Sequence, residues 1–537
     1  MAADAEAHPP QLVQFDPWGR RIDHIELARG WHELEAVAAE EGLIAAGYER
    51  RQGPFSRLYQ FTKLYLYNPS SAVATCPLAM ADGAARLIEV MGDDELRTNA
   101  FRRLTSRDPA EFWTSGQWMT ERTGGSDVGR TETIARADGD RYRLYGTKWF
   151  TSSTTSQMTM TLARIEPPGE EPIAGSRGLS LFYLETRNAD GGLNDIVIHR
   201  LKDKLGTRAL PTAELSLEGT TAKLIGEPGR GVPNIATLVN VTRMYNTVSS
   251  VGSMRRGLAL ARDYAHRREA FGKPLAEHPL HLETLAELEV QWAATFVLAM
   301  HATCLMGKEE CGEATADEAA ELRLLTPICK LYTAKQCVAA ASEVLECFGG
   351  AGYVEDTGLP KLLRDSQVLP IWEGTTNVLS LDCLRAIAKE DALRPTLATV
   401  QQRVAAVDEP TLAEPRRRIE KAVEAISQYV GEVAADGRPG MEAGARRFAY
   451  ALSRTISASL LLEHAAWALA DEGDGRWAEA ARRYARQDLA PLQRSGEADR
   501  GASRALALEE DLPSQSAASA GRPMTSSTSP ARETVTR

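Results

Sequence analysis

The segment LPIWEGTTNVLSLDCLR, residues 369–385, places one carboxylate, Glu373, directly after Trp372 and just before a helical run. An acid in an apolar, water-poor loop has its charged form disfavoured, which makes it a stronger base and suits it to removing a proton from carbon. The start of the following helix, from Thr375 to Asn377, can receive a phosphate on its free N–H groups. The simpler alternative is an ordinary carboxylate stabilised by the helix dipole.

Two segments that precede this loop each end a long helical run. ECFGGAGYVED at 346–356 contains three glycines, but it follows a helix instead of a strand, so it does not fit a dinucleotide-binding fingerprint. RREAFGKPL at 267–275 places Arg268 next to a helix end. An arginine there either pairs with the C-terminal helix dipole or forms a fork with a pyrophosphate.

Two further segments lie where the helical pattern gives way to alternating residues. MTERTGGSDVG at 119–129 can present backbone N–H groups and hydroxyls to a phosphate or a ring edge, or it can be a plain surface turn capped by Ser126. GTKWFTSS at 146–153 places two aromatic residues and small hydroxyl residues at a strand end. A flavin needs such a flat wall and one hydroxyl donor, although an ordinary aromatic pair in a sheet has the same pattern.

The periodicity of the whole chain predicts an α+β protein that is mostly α-helical. A helical pattern from about 31 to 104 is followed by β-type alternation and then by four long helical runs typical of a bundle. The predicted runs are 235–267, 281–306, 316–347 and 378–389. The predicted domains are a helical domain at 1–115, a β-domain at 116–231, a four-helix bundle at 232–390, an added helical domain at 391–500 and a disordered tail at 501–537.

The composition of the 537 residues is that of a globular protein, with a formal net charge of -11 that offers no global attraction for nucleic acid or anionic lipid. The seven cysteines form no CxxC pair, and an odd number argues against a disulfide framework. We find no signal-peptide pattern and no run of roughly 18 apolar residues. These features predict a cytoplasmic protein with no membrane span.

Taken in this order along the chain, these motifs resemble the acyl-CoA dehydrogenase family from about residue 70 to 390. The N-terminal PPQLVQFDPWGRRIDHIELARGWHEL and the added helical domain are similar to the branch that includes bacterial AidB and animal acyl-CoA dehydrogenase 11. The resemblance implies a FAD-dependent enzyme that converts a fatty acyl-CoA to a trans-2-enoyl-CoA. Glu373 then matches the base that takes the α-proton while the β-hydrogen leaves as hydride to flavin N5. Arg243 matches the family's active-site arginine, and the preceding Thr242 leaves the family's other base position without a carboxylate.

The resemblance also assigns the residues that bind FAD. Ser152 is expected near N5 and Phe150 as an aromatic wall, while Arg268 and Phe271 are expected to reach the FAD of a neighbouring subunit. The full set is Met119, Thr120, Gly125, Ser126, Phe150, Ser152, Arg268, Phe271, Glu346 (usually a glutamine), Gly349, Gly350, Thr375 and Asn377. A shared site implies a homotetramer built as a dimer of dimers, with electrons passing to an electron-transfer flavoprotein.

Three rival functions have weaker support. DNA binding is attributed to the added domain in the AidB branch, but residues 391–500 contain 16 Lys+Arg against 17 Asp+Glu, without the basic excess of a DNA-binding surface. An acyl-CoA oxidase would share the same motifs and differ in its reaction with oxygen. The sequence predicts no metal site, because His278 and His281, near Glu283, have no second cluster to complete it.

Overall fold

The computed structural model describes residues 1–512, and its N-terminal part is mainly helical, as the sequence predicted. The helices are α1 Ala2–Ala7, α2 Arg29–Glu40, α3 Ala45–Glu49, α4 Ser56–Tyr67, α5 Thr75–Met91, α6 Asp94–Leu96 and α7 Arg102–Leu104. An antiparallel hairpin that the sequence did not predict, β1 Gln11–Phe15 and β2 Arg21–Glu26, lies between α1 and α2.

The β-domain contains a closed ring of strands. Its strands are β3 Ser115–Trp118, β4 Ile134–Asp138, β5 Arg141–Ser152, β6 Met158–Ile165, β7 Leu179–Glu185, β8 Ile196–Leu201 and β9 Thr212–Ile225. The order β6-β4-β5-β9-β7 closes on itself because β7 also pairs with β6, while β3 and β8 add to the outside. A tight hairpin joins β4 and β5, since Asp138 pairs with Arg141 and Gly139 has the positive φ of a tight turn.

Long antiparallel helices follow the β-domain and confirm the predicted bundle. They are α8 Gly231–Arg267, α9 Pro279–Glu310, α10 Ala316–Cys347 and α12 Thr376–Glu390, with the short α11 Pro360–Ser366 and a small hairpin of β10 Glu269–Ala270 and β11 Lys273–Pro274 between them. Local chemistry explains their starts: Pro279 occupies the first turn of α9, and Thr315 with Glu318 forms a capping box on α10.

The added C-terminal domain packs on the bundle, and its last helix corrects one prediction. Its helices are α13 Leu393–Ala406, α14 Ala413–Val433, α15 Gly437–Trp467, α16 Gly475–Arg486 and α17 Glu497–Leu508. The expected start of a disordered tail at residue 501 falls inside α17, because helical periodicity continues through RGASRALAL. The rest of that predicted tail, residues 513–537, lies outside the described part of the chain.

One apolar core runs through the N-terminal helices, the bundle and the added domain, while a second core fills the β-domain. Helix α9 is long and apolar enough to cross a membrane by composition, contrary to the expectation that no segment would be. However, 67% of its most apolar window is buried inside the protein, as in the core helix of a bundle.

Candidate active site

A cavity of about 1020 Å³ lies where the β-domain meets α5, α8 and the loop before α12. It brings together most of the predicted site residues from three separate parts of the chain. The predicted residues that line it are Met119, Thr120, Gly125, Ser126, Phe150, Ser152, Arg243, Glu373 and Thr375.

Glu373 occupies a turn whose backbone is in the left-handed region, with a φ of 57° followed by 103° at Gly374. A non-glycine residue adopts this conformation only where its surroundings impose it. The Thr242 hydroxyl of α8 donates a hydrogen bond to Glu373 Oε2 at 2.7 Å. Within residues 1–512 the other carboxylate oxygen, Oε1, accepts no hydrogen bond and is free to meet a ligand in the cavity.

Two cations hold the backbone of this turn. Arg243 Nε donates to the Glu373 carbonyl at 3.3 Å, and Lys330 Nζ donates to the Gly374 carbonyl at 2.7 Å. The Arg243 guanidinium also pairs with Asp382 at 2.8 Å, and Asp382 in turn pairs with Arg323 at 2.9 Å. Burial opposes the ionisation of Asp382, but both arginines outweigh it and lower the pKa of that carboxyl group.

Trp372 is fixed beside the turn, because its indole N–H donates to the Asn246 side-chain carbonyl. Asn246 lies one helical turn beyond Thr242 on α8, so a single face of this helix supports both Trp372 and Glu373. Helix α8 therefore holds the Glu373 carboxylate through the Thr242 hydroxyl. The Arg243 and Lys330 cations hold the backbone of the turn that carries it.

The β-domain supplies the opposite wall of the cavity. Phe150 leaves 54% of its side chain exposed there, with the Lys202 ammonium 4.5 Å from its ring centroid. The Ser152 and Thr212 hydroxyls lie 3.1 Å apart, and Lys204 Nζ donates to the Thr212 hydroxyl at 3.1 Å. Burial lowers the pKa of the Lys204 ammonium to about 8, although nearby thiol and carboxyl groups oppose the shift.

The glycine loop after β3 is built for close approach by a ligand. A Cβ at Gly125 would lie 2.5 Å from the Thr120 hydroxyl, so a side chain there would clash with the loop itself. Gly124 has a φ of 121°, which L-residues rarely adopt. Met119, Thr120, Gly125 and Ser126 of this loop line the cavity.

The remaining predicted positions do not line this cavity. Arg268 lies 25 residues beyond Arg243, which along a helix corresponds to roughly 37 Å. Phe271, in the hairpin that follows α8, is 98% exposed, and the rings of Tyr264 and Phe348 bring the end of α10 to the same end of α8. The predicted positions outside the cavity lining are Arg268, Phe271, Glu346, Gly349, Gly350 and Asn377, and all six are exposed.

Two residues that bond directly to the Glu373–Gly374 turn were not predicted as site residues from the sequence. Thr242 was noted only as a position without a carboxylate, yet it is the hydrogen-bond partner of Glu373. Lys330 was not predicted at all, although a single lysine inside the apolar run LLTPICKLYTA is a signal for a buried cation with a specific partner.

Comparison with known proteins agrees with this architecture. Four family models match in succession: the AidB N-terminal domain at 1–108, the acyl-CoA dehydrogenase middle domain at 116–220, the acyl-CoA dehydrogenase C-terminal domain at 229–389 and the acyl-CoA dehydrogenase 11 C-terminal domain-like model at 391–512. The chain belongs to the acyl-CoA dehydrogenase family, and is thus an oxidoreductase by family.

Its relatives place it in the AidB and acyl-CoA dehydrogenase 11 branch. It is 45% identical to acyl-CoA dehydrogenase family member 11 of Caenorhabditis elegans, over 87% of this chain and 77% of the relative. It is 32% identical to the putative acyl-CoA dehydrogenase AidB of Escherichia coli, over 72% of this chain and 70% of that protein. The crystal structure of C. elegans ACDH-11 with C11-CoA superimposes with a TM-score of 0.92 at 42% identity, covering 95% of this chain and 88% of that one.

Proposed function

We propose that this protein is a FAD-dependent acyl-CoA dehydrogenase that converts an acyl-CoA to the trans-2-enoyl-CoA, with Glu373 as the base. One observation carries the proposal. A single carboxylate of the loop before α12 lines the large cavity, faces the β-domain wall and leaves its Oε1 oxygen free. Removal of an α-proton needs a fixed base in a site from which water is largely excluded.

Thr242 can support Glu373 before and after proton transfer. While Glu373 is ionised, the Thr242 hydroxyl donates to Oε2. The proton is taken up on the free Oε1 oxygen, which leaves the Oε2 oxygen able to accept a hydrogen bond as before. The Thr242 hydroxyl can therefore keep donating to Oε2 in both protonation states of Glu373.

FAD is the cofactor, and the residues of the cavity fit it. The Phe150 ring forms a flat wall, Ser152 supplies a hydroxyl, and the loop around Gly125 offers backbone N–H groups and the Thr120 hydroxyl. FAD supplies the acceptor for the hydrogen that leaves the β-carbon as hydride. The Lys204 ammonium donates to Thr212, so the Thr212 hydroxyl proton can point to Ser152 and the Ser152 proton into the cavity.

The acyl chain is proposed to lie between α5 and α8. The α5 side of the cavity is formed by Cys76, Ala79 and Met80, which present small or apolar atoms suited to a hydrocarbon chain. A relative with 42% identity was crystallised with C11-CoA, which supports a medium or long acyl-CoA thioester as the substrate class.

The exposed residues at the far end of α8 are proposed to complete the FAD site of a neighbouring subunit. Arg268 and Phe271 do not line the cavity of their own chain, and both side chains are exposed and therefore accessible to a neighbouring subunit. A homotetramer built as a dimer of dimers, with electron-transfer flavoprotein as the acceptor, is the arrangement that we expect.

Anaerobic titration of the purified FAD protein with saturated acyl-CoAs of increasing length tests this function. We expect at least one thioester to bleach the flavin absorbance and to form the 2-enoyl-CoA. Failure of every thioester to bleach the flavin would contradict the proposal. Rapid hydrogen peroxide formation with the same substrate in air would instead assign the protein as an acyl-CoA oxidase.

A further inference from the structure

Lys330 is a buried cation that no carboxylate neutralises directly. Its side chain is 0% exposed in the interior of α10, and within residues 1–512 no acidic oxygen lies within 4 Å of its ammonium. Its hydrogen-bond acceptor is the Gly374 carbonyl at 2.7 Å. Burying an unpaired charge is costly, so this lysine is not explained by packing alone.

A second buried lysine in the same protein shows how a buried ammonium group is usually neutralised, by pairing with a carboxylate. Lys148, in β5, is also 0% exposed, but its ammonium pairs with Glu121 at 2.8 Å and donates to the Leu162 carbonyl at 3.0 Å. Lys148 thus stabilises the β-domain as one half of an ion pair. Lys330 instead directs its charge to the backbone of the turn that carries Glu373.

The turn itself requires such support. Glu373 and Gly374 are consecutive residues with positive φ, and their two carbonyls accept hydrogen bonds from Arg243 and Lys330 respectively. The Lys330 bond is the shorter of the two, and a charged donor makes a hydrogen bond roughly twice as strong as a neutral one. Loss of this bond would free the turn to relax toward an ordinary conformation and move the carboxylate.

We propose that Lys330 is a positioning residue for the dehydrogenation, which acts through the Gly374 carbonyl to hold the Glu373 carboxylate in its working position. This inference rests on the proposed role of Glu373 as the base. Lys330 does not line the cavity and does not touch substrate or cofactor. Its effect is therefore on the rate of the chemical step and not on the binding of acyl-CoA.

The charges around Lys330 make this support sensitive to pH. Burial lowers the pKa of the Lys330 ammonium to about 7, with Glu373 opposing the shift and Arg243 adding to it. Arg243 pairs in turn with Asp382, which also pairs with Arg323. The charge-assisted bond is present below this pKa and weakens as pH rises through it.

Stopped-flow measurement of flavin bleaching at saturating acyl-CoA, from about pH 6 to about pH 9, tests the inference in the FAD-loaded protein. In the wild type we expect the rate to fall as pH rises through the Lys330 pKa. For Lys330→Met we expect a rate about 100-fold lower at the acid end and no alkaline fall, because small misplacement of a base has a large cost. The acyl-CoA dissociation constant should stay within about threefold of the wild-type value, since Lys330 lies outside the cavity.

Two further variants separate positioning from stability. Lys330→Gln keeps an N–H donor without the charge. Its bleaching rate should therefore lie between those of the wild type and Lys330→Met, and the rate should not fall as pH rises. Lys148→Met removes a buried lysine of equal exposure and should lower the melting temperature while the alkaline fall persists. If either folded Lys330 variant keeps the wild-type rate and pH profile, the inference is wrong. If no acyl-CoA bleaches the wild type, the proposed function fails instead.

Discussion

The two ends of helix α8 differ in how complete a site they form. In its N-terminal half, Thr242 and Arg243 contact Glu373 directly, and Arg243 together with the buried Lys330 holds the turn that carries this carboxylate. At its C-terminal end, Arg268 and Phe271 are exposed and contact no part of the cavity. The surroundings of the proposed base are thus complete within one chain, whereas Arg268 and Phe271 need a ligand or a partner subunit to form a binding site.

Arg243→Met should have the largest effect among the contacts at the near end. It removes the donor to the Glu373 carbonyl and one partner of the buried Asp382, so we expect a bleaching rate about 100-fold lower. Arg323→Met removes a second partner of Asp382 and leaves the contacts of the Glu373 turn in place, so the loss of rate should be much smaller. Equal losses in both variants would mean that Arg243 acts only through Asp382.

Thr242→Val should have an intermediate effect. The substitution keeps the shape of the side chain but removes the hydroxyl that serves Glu373 in both protonation states, so a rate loss of about tenfold is expected. Thr247→Val is a suitable control, since that hydroxyl donates to the Arg243 carbonyl within α8 and does not contact Glu373. An unchanged rate in Thr242→Val would refute the two-state role of this hydroxyl.

The smallest effect on the chemical step is expected at the far end. Arg268→Met and Phe271→Ser should leave the bleaching rate of the FAD-saturated protein unchanged and should shift the free energy of unfolding by no more than about 0.5 kcal/mol, because both side chains are exposed. Each should raise the dissociation constant of FAD and shift the protein toward smaller assemblies in analytical ultracentrifugation. If FAD binding and the assembly state are both unchanged, Arg268 and Phe271 are not part of the FAD site.

The sequence predicted the architecture well because hydrophobic periodicity is a local property of long helices. The runs predicted for α8, α10 and α12 differ from the observed helices by a few residues at most. The β1–β2 hairpin was missed because the N-terminal segment lacks a clear alternation. The boundary at residue 501 was wrong because small polar residues were read as disorder, whereas alanine and leucine at helical spacing continue into α17.

Site residues were predictable from the sequence where they belong to a recognisable motif. They were not predictable where their role depends on a contact between distant segments of the chain. Glu373 and the glycine loop around Gly125 were noticed from residue type and order, and their roles were assigned by the family resemblance. Lys330 was not found, because periodicity predicts that its position is buried but cannot tell which backbone carbonyl its ammonium meets. The family resemblance assigned Arg268 and Phe271 to the FAD of a neighbouring subunit, and both residues lie outside the cavity of their own chain.

The most direct test of Glu373 as the base compares wild type and Glu373→Gln in anaerobic stopped-flow mixing with an acyl-CoA that reduces the wild-type flavin. Glutamine preserves the shape of the side chain and can still accept a hydrogen bond from Thr242, but it cannot take up the α-proton. We predict that the variant binds the same thioester and that its flavin bleaches at least about 10⁴-fold more slowly. Bleaching at a rate close to that of the wild type would contradict the assignment of Glu373 as the base.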